Sequence, residues 1–219
     1  MGLEEKKDWY WALVGAGIAD KKWTDDRKEE IVRSRVDSLN FLYGITKEHH
    51  LNFKSVVSAS AVGYYGFNTS DHIYDESDPS SDDFLGDTCK KWEKALFQFD
   101  ELNIPTSAVR IGLVLSTEGG ALKELASPIK LFAGAPLGSG KQYMPWVHIN
   151  DICNQFIFQM ENKLKGSFNG CADEHITNKG FTEAVAKVLK KPLLLPNVPT
   201  FVMKIILGRK KSTAVLEEG

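Results

Sequence analysis

The residues best suited to chemistry lie in one short stretch, Ser55–Gly66, with the sequence SVVSASAVGYYG. Its two valines are typical of a buried strand, and the small residues after them predict a tight loop at the carboxyl end of that strand. Ligands of open α/β sheets bind at this edge, where small residues let a flat molecule approach the backbone. A serine hydroxyl there could polarise a carbonyl or alcohol oxygen. A core strand followed by a glycine-rich turn is the alternative interpretation.

Three further features carry polar chemistry elsewhere in the chain. Cys89 lies at the start of a predicted helix, where backbone N–H groups could lower the pKa of its thiol; the alternative is an inert apolar cysteine. Arg110 interrupts an apolar strand, and a buried arginine needs a partner, for which Glu93 and Asp151 are candidates. Asp75 and Glu76 lie in a loop rich in Asp and Ser, and we interpret them as solvated, with a place at the rim of a substrate opening as the alternative.

These residues need a scaffold, and the hydrophobic pattern predicts strands that alternate with helices. Thr24, followed by acidic residues, predicts the start of a helix over 25–47. Strand, helix and strand form a right-handed crossover unit, so we predict an α/β fold with a doubly wound parallel sheet. The predicted strands are Ala12–Ala16, 55–60, Thr106–Leu115, Tyr143–Ile149 and 167–169; the other predicted helices are Phe84–Leu102, Ala121–Ala133, about 151–163 with Asn150 as cap, Thr182–Leu189 and Pro199–Leu207.

Composition excludes several classes of function. The 219 residues carry a net charge of −2, which gives no electrostatic reason to expect nucleic acid or an anionic membrane as partner. No apolar run approaches the roughly 18 residues that a membrane span needs, and the first residues lack the apolar core of a secretory signal. Three widely spaced cysteines predict free thiols in a reducing compartment, with no metal-ligand spacing. We therefore expect a cytoplasmic protein.

An ordered series of motifs runs along the chain from residue 12 onward. It comprises IADKKWT at 18–24, SRV at 34–36, SASAVGYYG at 58–66, CKKWE at 89–93, RIGLVL at 110–115, PLGSG at 136–140, WVHIND at 146–151, GSFN at 166–169 and the stretch from Val198 to Gly208. The series resembles the extended short-chain dehydrogenase/reductases of the NAD-dependent epimerase/dehydratase family. Within it, the match is to an atypical branch of epimerase-family or cell-division-inhibitor-like proteins, which carry a small C-terminal domain.

The resemblance implies a Rossmann-like fold in two parts. Residues 1–115 and 143–163 would form an incomplete NAD(P)-binding domain, and residues 116–142 and 164–219 a smaller substrate-side α/β lobe. The family opens with a G-x-x-G-x-x-G turn that holds the cofactor pyrophosphate. The early glycines Gly2, Gly15 and Gly17 do not match that spacing, so the first βα units are missing from the pattern. We interpret the chain either as a fragment or as a sequence that omits segments, and its irregular start favours the second.

The catalytic Tyr-x-x-x-Lys of the family is also altered. The resemblance places Leu85 at the Tyr position and Cys89 at the Lys position. Leucine cannot transfer a proton, and a neutral thiol cannot supply a fixed positive charge, so the usual mechanism is not available. The upstream serine of the family is retained as Ser60. Tyr64 or Tyr65 could replace the acid/base, with aromatic packing over the site as the alternative.

The resemblance also implies candidate site residues and ligands. Arg35 stands in place of a structural Asn and would contact ribose or phosphate, or else hydrogen-bond strand carbonyls. The implied cofactor is NADP, or NAD, with a small-molecule substrate such as a sugar nucleotide and a homodimer through helices 25–47 and 84–102. The candidate catalytic residues are Ser60, Tyr64 and Cys89, the candidate cofactor-binding residues are Gly15, Ala16, Gly17, Arg35, Ser58, Ala59, Arg110 and Gly112, and no metal ligand is assigned.

Two functions follow from this pattern. The first is an NAD(P)-binding epimerase- or dehydratase-like oxidoreductase acting on a sugar nucleotide or another small carbonyl or alcohol. The second is a catalytically inactive NADP-sensing or protein-interaction member of the same fold; a damaged fragment without a pocket is a third interpretation. All three depend on one expectation, that the strand exits at Gly15, Ser60 and Arg110 converge to form the floor of a single crevice.

Overall fold

Four parallel strands form the central sheet. They are β1 (Trp9–Ala12), β2 (Ser55–Ala61), β3 (Thr106–Ile111) and β6 (Gly166–Gly170), which lie side by side in that order. A second, two-stranded parallel sheet joins β4 (Leu113–Leu115) to β5 (Trp146–His148). The structure is a computed structural model that describes residues 9–12, 15–18, 21, 23–66 and 71–198, with the backbone alone at 9–12. Because the strands are parallel, their carboxyl ends lie at one edge.

Five α-helices are described around these sheets. They are α1 (Asp25–Glu48), α2 (Phe84–Leu96), α3 (Ala121–Lys130), α4 (Ile149–Glu161) and α5 (Asn178–Val188), with 3₁₀ turns at Val62–Tyr65 and Phe97–Leu102. The side chain of Thr24 accepts a hydrogen bond from the backbone N–H of Arg27, which confirms the predicted cap of α1. Asp83 caps α2 and Thr177 caps α5 in the same way.

The helices cover both faces of the central sheet. On one face, Leu39 of α1, Trp92 of α2 and Phe99 of the following 3₁₀ turn pack in one core with Val56. On the other face, α4 packs Ile152 against Val57. Val56 and Val57 are consecutive residues of one strand, so their side chains point to opposite faces. The predicted Rossmann-like α/β class is therefore confirmed. Across the described residues, no helix combines the length and apolar character that crossing a membrane requires.

Several predicted element boundaries are wrong. The strand predicted at Ala12–Ala16 lies earlier, since β1 ends at Ala12. The strand predicted at Thr106–Leu115 is divided between β3 in the central sheet and β4 in the second sheet. His148, and not Asn150, caps α4, with its Nδ1 accepting from the Asn150 N–H at 3.2 Å.

Other differences concern larger segments. The helix predicted at Phe84–Leu102 ends at Leu96 and continues as the 3₁₀ turn Phe97–Leu102. Strand β6 pairs with β3 in the central sheet, although the sequence pattern grouped residues 164–219 with the smaller lobe. The helix predicted at Pro199–Leu207 lies outside the described residues.

Candidate functional site

The predicted strand exits meet at one edge of the sheet. Ser60 on β2 lies opposite Arg110 on β3, and Arg110 lies opposite Asn169 on β6. On the other side of β2, Ala12 pairs with Ser58, and Gly15 follows three residues later. Gly15, Ser60 and Arg110 therefore lie at neighbouring strand ends on one edge of the sheet, as predicted; that they form the floor of one crevice stays a prediction.

A buried carboxylate, Glu93 of α2, connects three strands beneath this edge. Its Oε1 accepts hydrogen bonds from Ser60 Oγ at 2.7 Å and from Arg110 Nε at 2.9 Å. Its Oε2 accepts from Arg110 Nη2 at 3.0 Å and from Ser167 Oγ at 2.9 Å. One side chain therefore joins α2 to β2, β3 and β6. Sequence reasoning identified Glu93 only as a candidate ion-pair partner, because residues this far apart along the chain show no pattern that would group them.

Arg110 is enclosed by protein groups. Beyond Glu93, its Nη1 donates to the hydroxyl of Tyr65 at 2.8 Å, and the Tyr64 ring centroid lies 3.5 Å from its Cζ. Burial alone would lower the pKa of Arg110, but the hydrogen bonds that its guanidinium donates to Glu93 and Tyr65 raise the pKa above its ordinary value. Arg110 was predicted either to form an internal ion pair or to contact a cofactor. The structure shows the ion pair with Glu93, which engages Nε and Nη2 of the guanidinium. Contact of Arg110 with a cofactor stays a prediction.

Tyr65 connects the Glu93–Arg110 pair to the end of β6 and to the loop that contains Tyr74 and Glu76. Its hydroxyl donates to Asn169 Oδ1 at 2.8 Å, and its ring stacks on Tyr74 with centroids 5.0 Å apart. Burial raises the pKa of Tyr65, so this phenol is held protonated as a structural group. Glu76 Oε1 accepts from the Asn169 backbone N–H at 2.7 Å. Glu76 is exposed, as predicted for a solvated loop, but it also fixes that loop to the end of β6.

Leu85 and Cys89, which the family resemblance places at the Tyr and Lys positions, are both buried. Leu85 is 6% exposed and Cys89 is 4% exposed. Burial, together with the nearby charge of Glu93, raises the pKa of Cys89 to about 12. The prediction that the thiol has a lowered pKa is therefore wrong, because desolvation outweighs the helix N-terminus. At ordinary pH Cys89 is a neutral, apolar side chain.

Three predicted residues of β2 lie in the interior. Ser58 is 0% exposed, Ala59 packs in the hydrophobic core, and Ser60 is 2% exposed. The hydroxyl of Ser60, predicted to polarise a substrate oxygen, donates a hydrogen bond to Glu93 instead. Ser60 is buried because β2 continues to Ala61, so the open edge begins after these residues.

The loop after β1 is fixed on helix α1. The Ala16 N–H donates to Ser34 Oγ at 3.0 Å, and the Ala16 carbonyl accepts from Arg35 Nη1 at 3.1 Å. The Gly17 carbonyl accepts from Arg27 Nη2. A Cβ at Gly15 would lie 2.9 Å from the Arg35 Cζ, so a larger residue there would require the guanidinium to shift. That Gly15 is small in order to line a cofactor path stays a prediction.

Gly112, a predicted cofactor-binding residue, has a different structural role. Its N–H donates to the Gly170 carbonyl at 3.1 Å, and the next N–H, of Leu113, donates to the Pro145 carbonyl at 2.6 Å. A Cβ at Gly112 would overlap that Pro145 oxygen. The glycine therefore lets the chain leave the central sheet and enter the second one.

Two named relatives match nearly the whole chain. An epimerase family protein SDR39U1 homolog, chloroplastic, of Arabidopsis thaliana is 34% identical over 208 residues, which is 94% of this chain and 58% of that protein. An epimerase family protein of Staphylococcus aureus (strain MRSA252) is 35% identical over 209 residues, 94% of this chain and 68% of that protein. The chain thus spans 58% to 68% of the length of these relatives. No protein-family model matches.

Solved structures agree with these matches. Human epimerase family protein SDR39U1 (isoform 2), in a crystal structure with NADPH, superposes with a TM-score of 0.82 at 28% identity, over 95% of this chain and 71% of that one. A nucleoside-diphosphate sugar epimerase from Corynebacterium glutamicum has a TM-score of 0.68 at 29% identity, over 90% of this chain and 42% of that one. On these grounds, and on its Rossmann-like fold, the chain belongs to the epimerase family of atypical short-chain dehydrogenase/reductases.

Proposed function

We propose that this chain binds NADP(H), or NAD(H), at the carboxyl edge of its parallel sheet. The observation that carries the proposal is the superposition on a relative crystallised with NADPH, which extends over 95% of this chain. The convergence of strand exits at Gly15 and Ala61 supports the same edge, since dinucleotides lie across such exits.

The residues present fit the nicotinamide half of a dinucleotide better than its pyrophosphate half. Gly15 is exposed at the edge and has no side chain to obstruct a flat ring. The sequence contains no G-x-x-G-x-x-G turn, the feature that supplies backbone N–H groups to the pyrophosphate. We therefore assign Gly15, Ala16 and Gly17 to the path of the nicotinamide half.

The proposed reaction is an oxidation or reduction of a small carbonyl or alcohol substrate. When bound, the cofactor supplies or accepts the hydride at the substrate carbon. Tyr64, half-buried with its ring fixed on Arg110, is our candidate to give the substrate oxygen its proton, which water would then replace. A sugar nucleotide is the proposed substrate class, supported by the name of the corynebacterial neighbour.

The alternative function is a non-catalytic cofactor sensor. It is favoured by one observation: Leu85 and Cys89 occupy the positions of the usual catalytic pair, and both are buried. A protein of this kind would keep the cofactor edge and lose proton transfer.

Calorimetric titration of the purified chain with NADPH and NADH tests the proposal, with saturable binding expected and no binding overturning it. Deuterium transfer from NADPH labelled at the nicotinamide C4 to nucleoside-diphosphate sugars then separates the two functions. Transfer that falls at least tenfold in Tyr64→Phe supports the enzyme, and binding without transfer supports the sensor. Tyr43→Phe, whose hydroxyl bonds the exposed Glu101, is the matched control.

We extend the proposal to organisation in the cell. We propose a substrate-side lobe of residues 116–142 and 171–198, a homodimer through α1 and α2, and residence in the cytoplasm. The exposed side chain of Phe41 on α1, at 70%, supports the dimer. Light scattering of wild type and Phe41→Glu tests it, with a monomeric wild type as the contrary result, and cell fractionation tests the compartment.

A further inference from the structure

Arg35 differs from the other two buried arginines that the structure describes. Arg27 pairs with Glu30 and Arg110 pairs with Glu93. Arg35 is 7% exposed, and among the described residues it forms no ion pair. A buried charge is ordinarily paired, because removing it from water is unfavourable. Among the residues that the structure describes, no carboxylate therefore pairs with the positive charge of Arg35.

The guanidinium also has unused donors. Its Nη1 donates to the Ala16 carbonyl at 3.1 Å and to the Ile31 carbonyl at 2.9 Å. A guanidinium carries five N–H groups, and within the described ranges Nε and Nη2 have no hydrogen-bond partner. These three N–H groups form the planar fork that binds two oxygens at once.

The surroundings of Arg35 hold this fork in place. Its Cζ lies 5.0 Å from the centroid of the Trp92 ring, and the two carbonyl contacts fix Nη1. Gly15 lies against the guanidinium, since a Cβ there would be 2.9 Å from Cζ. The aromatic contact stabilises a cation only modestly. A fixed, desolvated and unpaired cation beside the open edge is a preformed site for an oxygen-rich group.

We propose that Arg35 binds the ribose oxygens, or the adjoining phosphate oxygens, of the nicotinamide half of the dinucleotide. This inference rests on the proposed function and names a contact within it. The fork replaces the fixed positive charge that Cys89, a neutral thiol one helix away, does not provide. Arg110 does not serve this purpose, because Glu93 occupies its fork.

The test is NADPH titration of the full chain and its variants. Arg35→Met is expected to weaken NADPH binding at least tenfold, and Arg35→Lys, which keeps the charge without the fork, to recover part of the loss. Arg33→Met is the matched control on the same helix: its side chain is 67% exposed, and its affinity should equal that of wild type. Unchanged affinity in Arg35→Met would overturn the inference and leave the proposed function standing. Absence of NADPH binding by wild type would overturn both.

Two further measurements sharpen the result. Arg35→Gln keeps a side-chain donor toward the Ala16 and Ile31 carbonyls but lacks the charge and the fork, so it should also weaken binding at least tenfold, and it decides the matter if Arg35→Met fails to fold. Reduced nicotinamide riboside and reduced nicotinamide mononucleotide locate the contact. A loss of affinity for both in Arg35→Met assigns ribose, a loss for the mononucleotide alone assigns phosphate, and equal affinities for both in wild type and Arg35→Met contradict the assignment.

Discussion

Nε of Arg110 lies 2.9 Å from Oε1 of Glu93, and the two side chains are 4% and 8% exposed. The pair joins strand β3 to helix α2 and organises Ser60, Ser167 and Tyr65 around it. Because both charges are desolvated, removing either side chain would leave the other charge buried without a counter-charge.

Glu93→Ala should lower the free energy of unfolding by about 3–5 kcal/mol, because it leaves the guanidinium of Arg110 buried without a counter-charge. Urea unfolding followed by circular dichroism measures the change. Glu29→Ala removes a carboxylate that is 69% exposed and 3.8 Å from Arg33, so its effect should stay within about 0.5 kcal/mol. Equal effects of the two substitutions would refute the structural role of Glu93.

Tyr65→Phe and Tyr64→Phe should differ in stability. The first removes a hydroxyl that accepts from Arg110 and donates to Asn169, so it should lower the free energy of unfolding by about 1–3 kcal/mol. The second keeps the ring on Arg110 and should change stability by less than about 0.5 kcal/mol. Thermal or urea unfolding compares them, and an equal loss in both would contradict the hydrogen-bond assignment.

Cys89 should make the fold less stable at alkaline pH. Its pKa is about 12 in the folded chain against an ordinary value of 9.0, so above pH 9 the unfolded chain loses the thiol proton first. Stability contributed by the protonated thiol is therefore full below pH 9 and declines as the pH rises toward 12. In urea unfolding from pH 8 to 11, Cys89→Ala should show a shallower decline than wild type. Parallel curves would contradict the raised pKa.

The three cysteines should differ in their rate of reaction with a thiol reagent, with the exposed one reacting first. Cys153 is exposed, whereas burial raises the pKa of Cys171 to about 11 and that of Cys89 to about 12. The thiolate is the reactive form, so at pH 8 a disulfide reagent should label Cys153 rapidly and Cys89 only after unfolding. Cys153→Ser should abolish the fast phase. A fast phase that persists in this variant would show that a buried thiol is accessible.

Gly112→Ala should destabilise the fold by about 1–3 kcal/mol, since the new methyl group would overlap the Pro145 carbonyl oxygen, a backbone atom that cannot move freely. Gly119→Ala is the matched control, because a Cβ there meets no atom within 4 Å. Calorimetric unfolding should separate the two variants by several degrees. If Gly112→Ala melts with wild type, the close approach of the two sheets is not required.

The fold class followed from the sequence because its signals are local. Alternation of apolar strands with amphipathic helices, and Thr24 before two acidic residues, predicted α1 and β2 close to their observed bounds, and the start of α2. The division of Thr106–Leu115 between two sheets was missed. It depends on the close approach of the chain at Gly112 to Pro145, and the local pattern of residues does not contain that distant contact. The position of β6 was missed for the same reason, since strand pairing joins residues far apart in the chain.

By itself, the sequence determined the parallel α/β fold, the family resemblance and the edge at which Gly15, Ser60 and Arg110 meet. Only the tertiary structure decided which of the candidate side chains are already engaged within the described protein. Burial and pairing made the difference: Ser60 and Arg110 are committed to Glu93, and Cys89 is desolvated into a neutral thiol, whereas Arg35 keeps free donors. Such commitments depend on distances between residues that are remote in the chain, and residue types and spacing alone do not encode those distances.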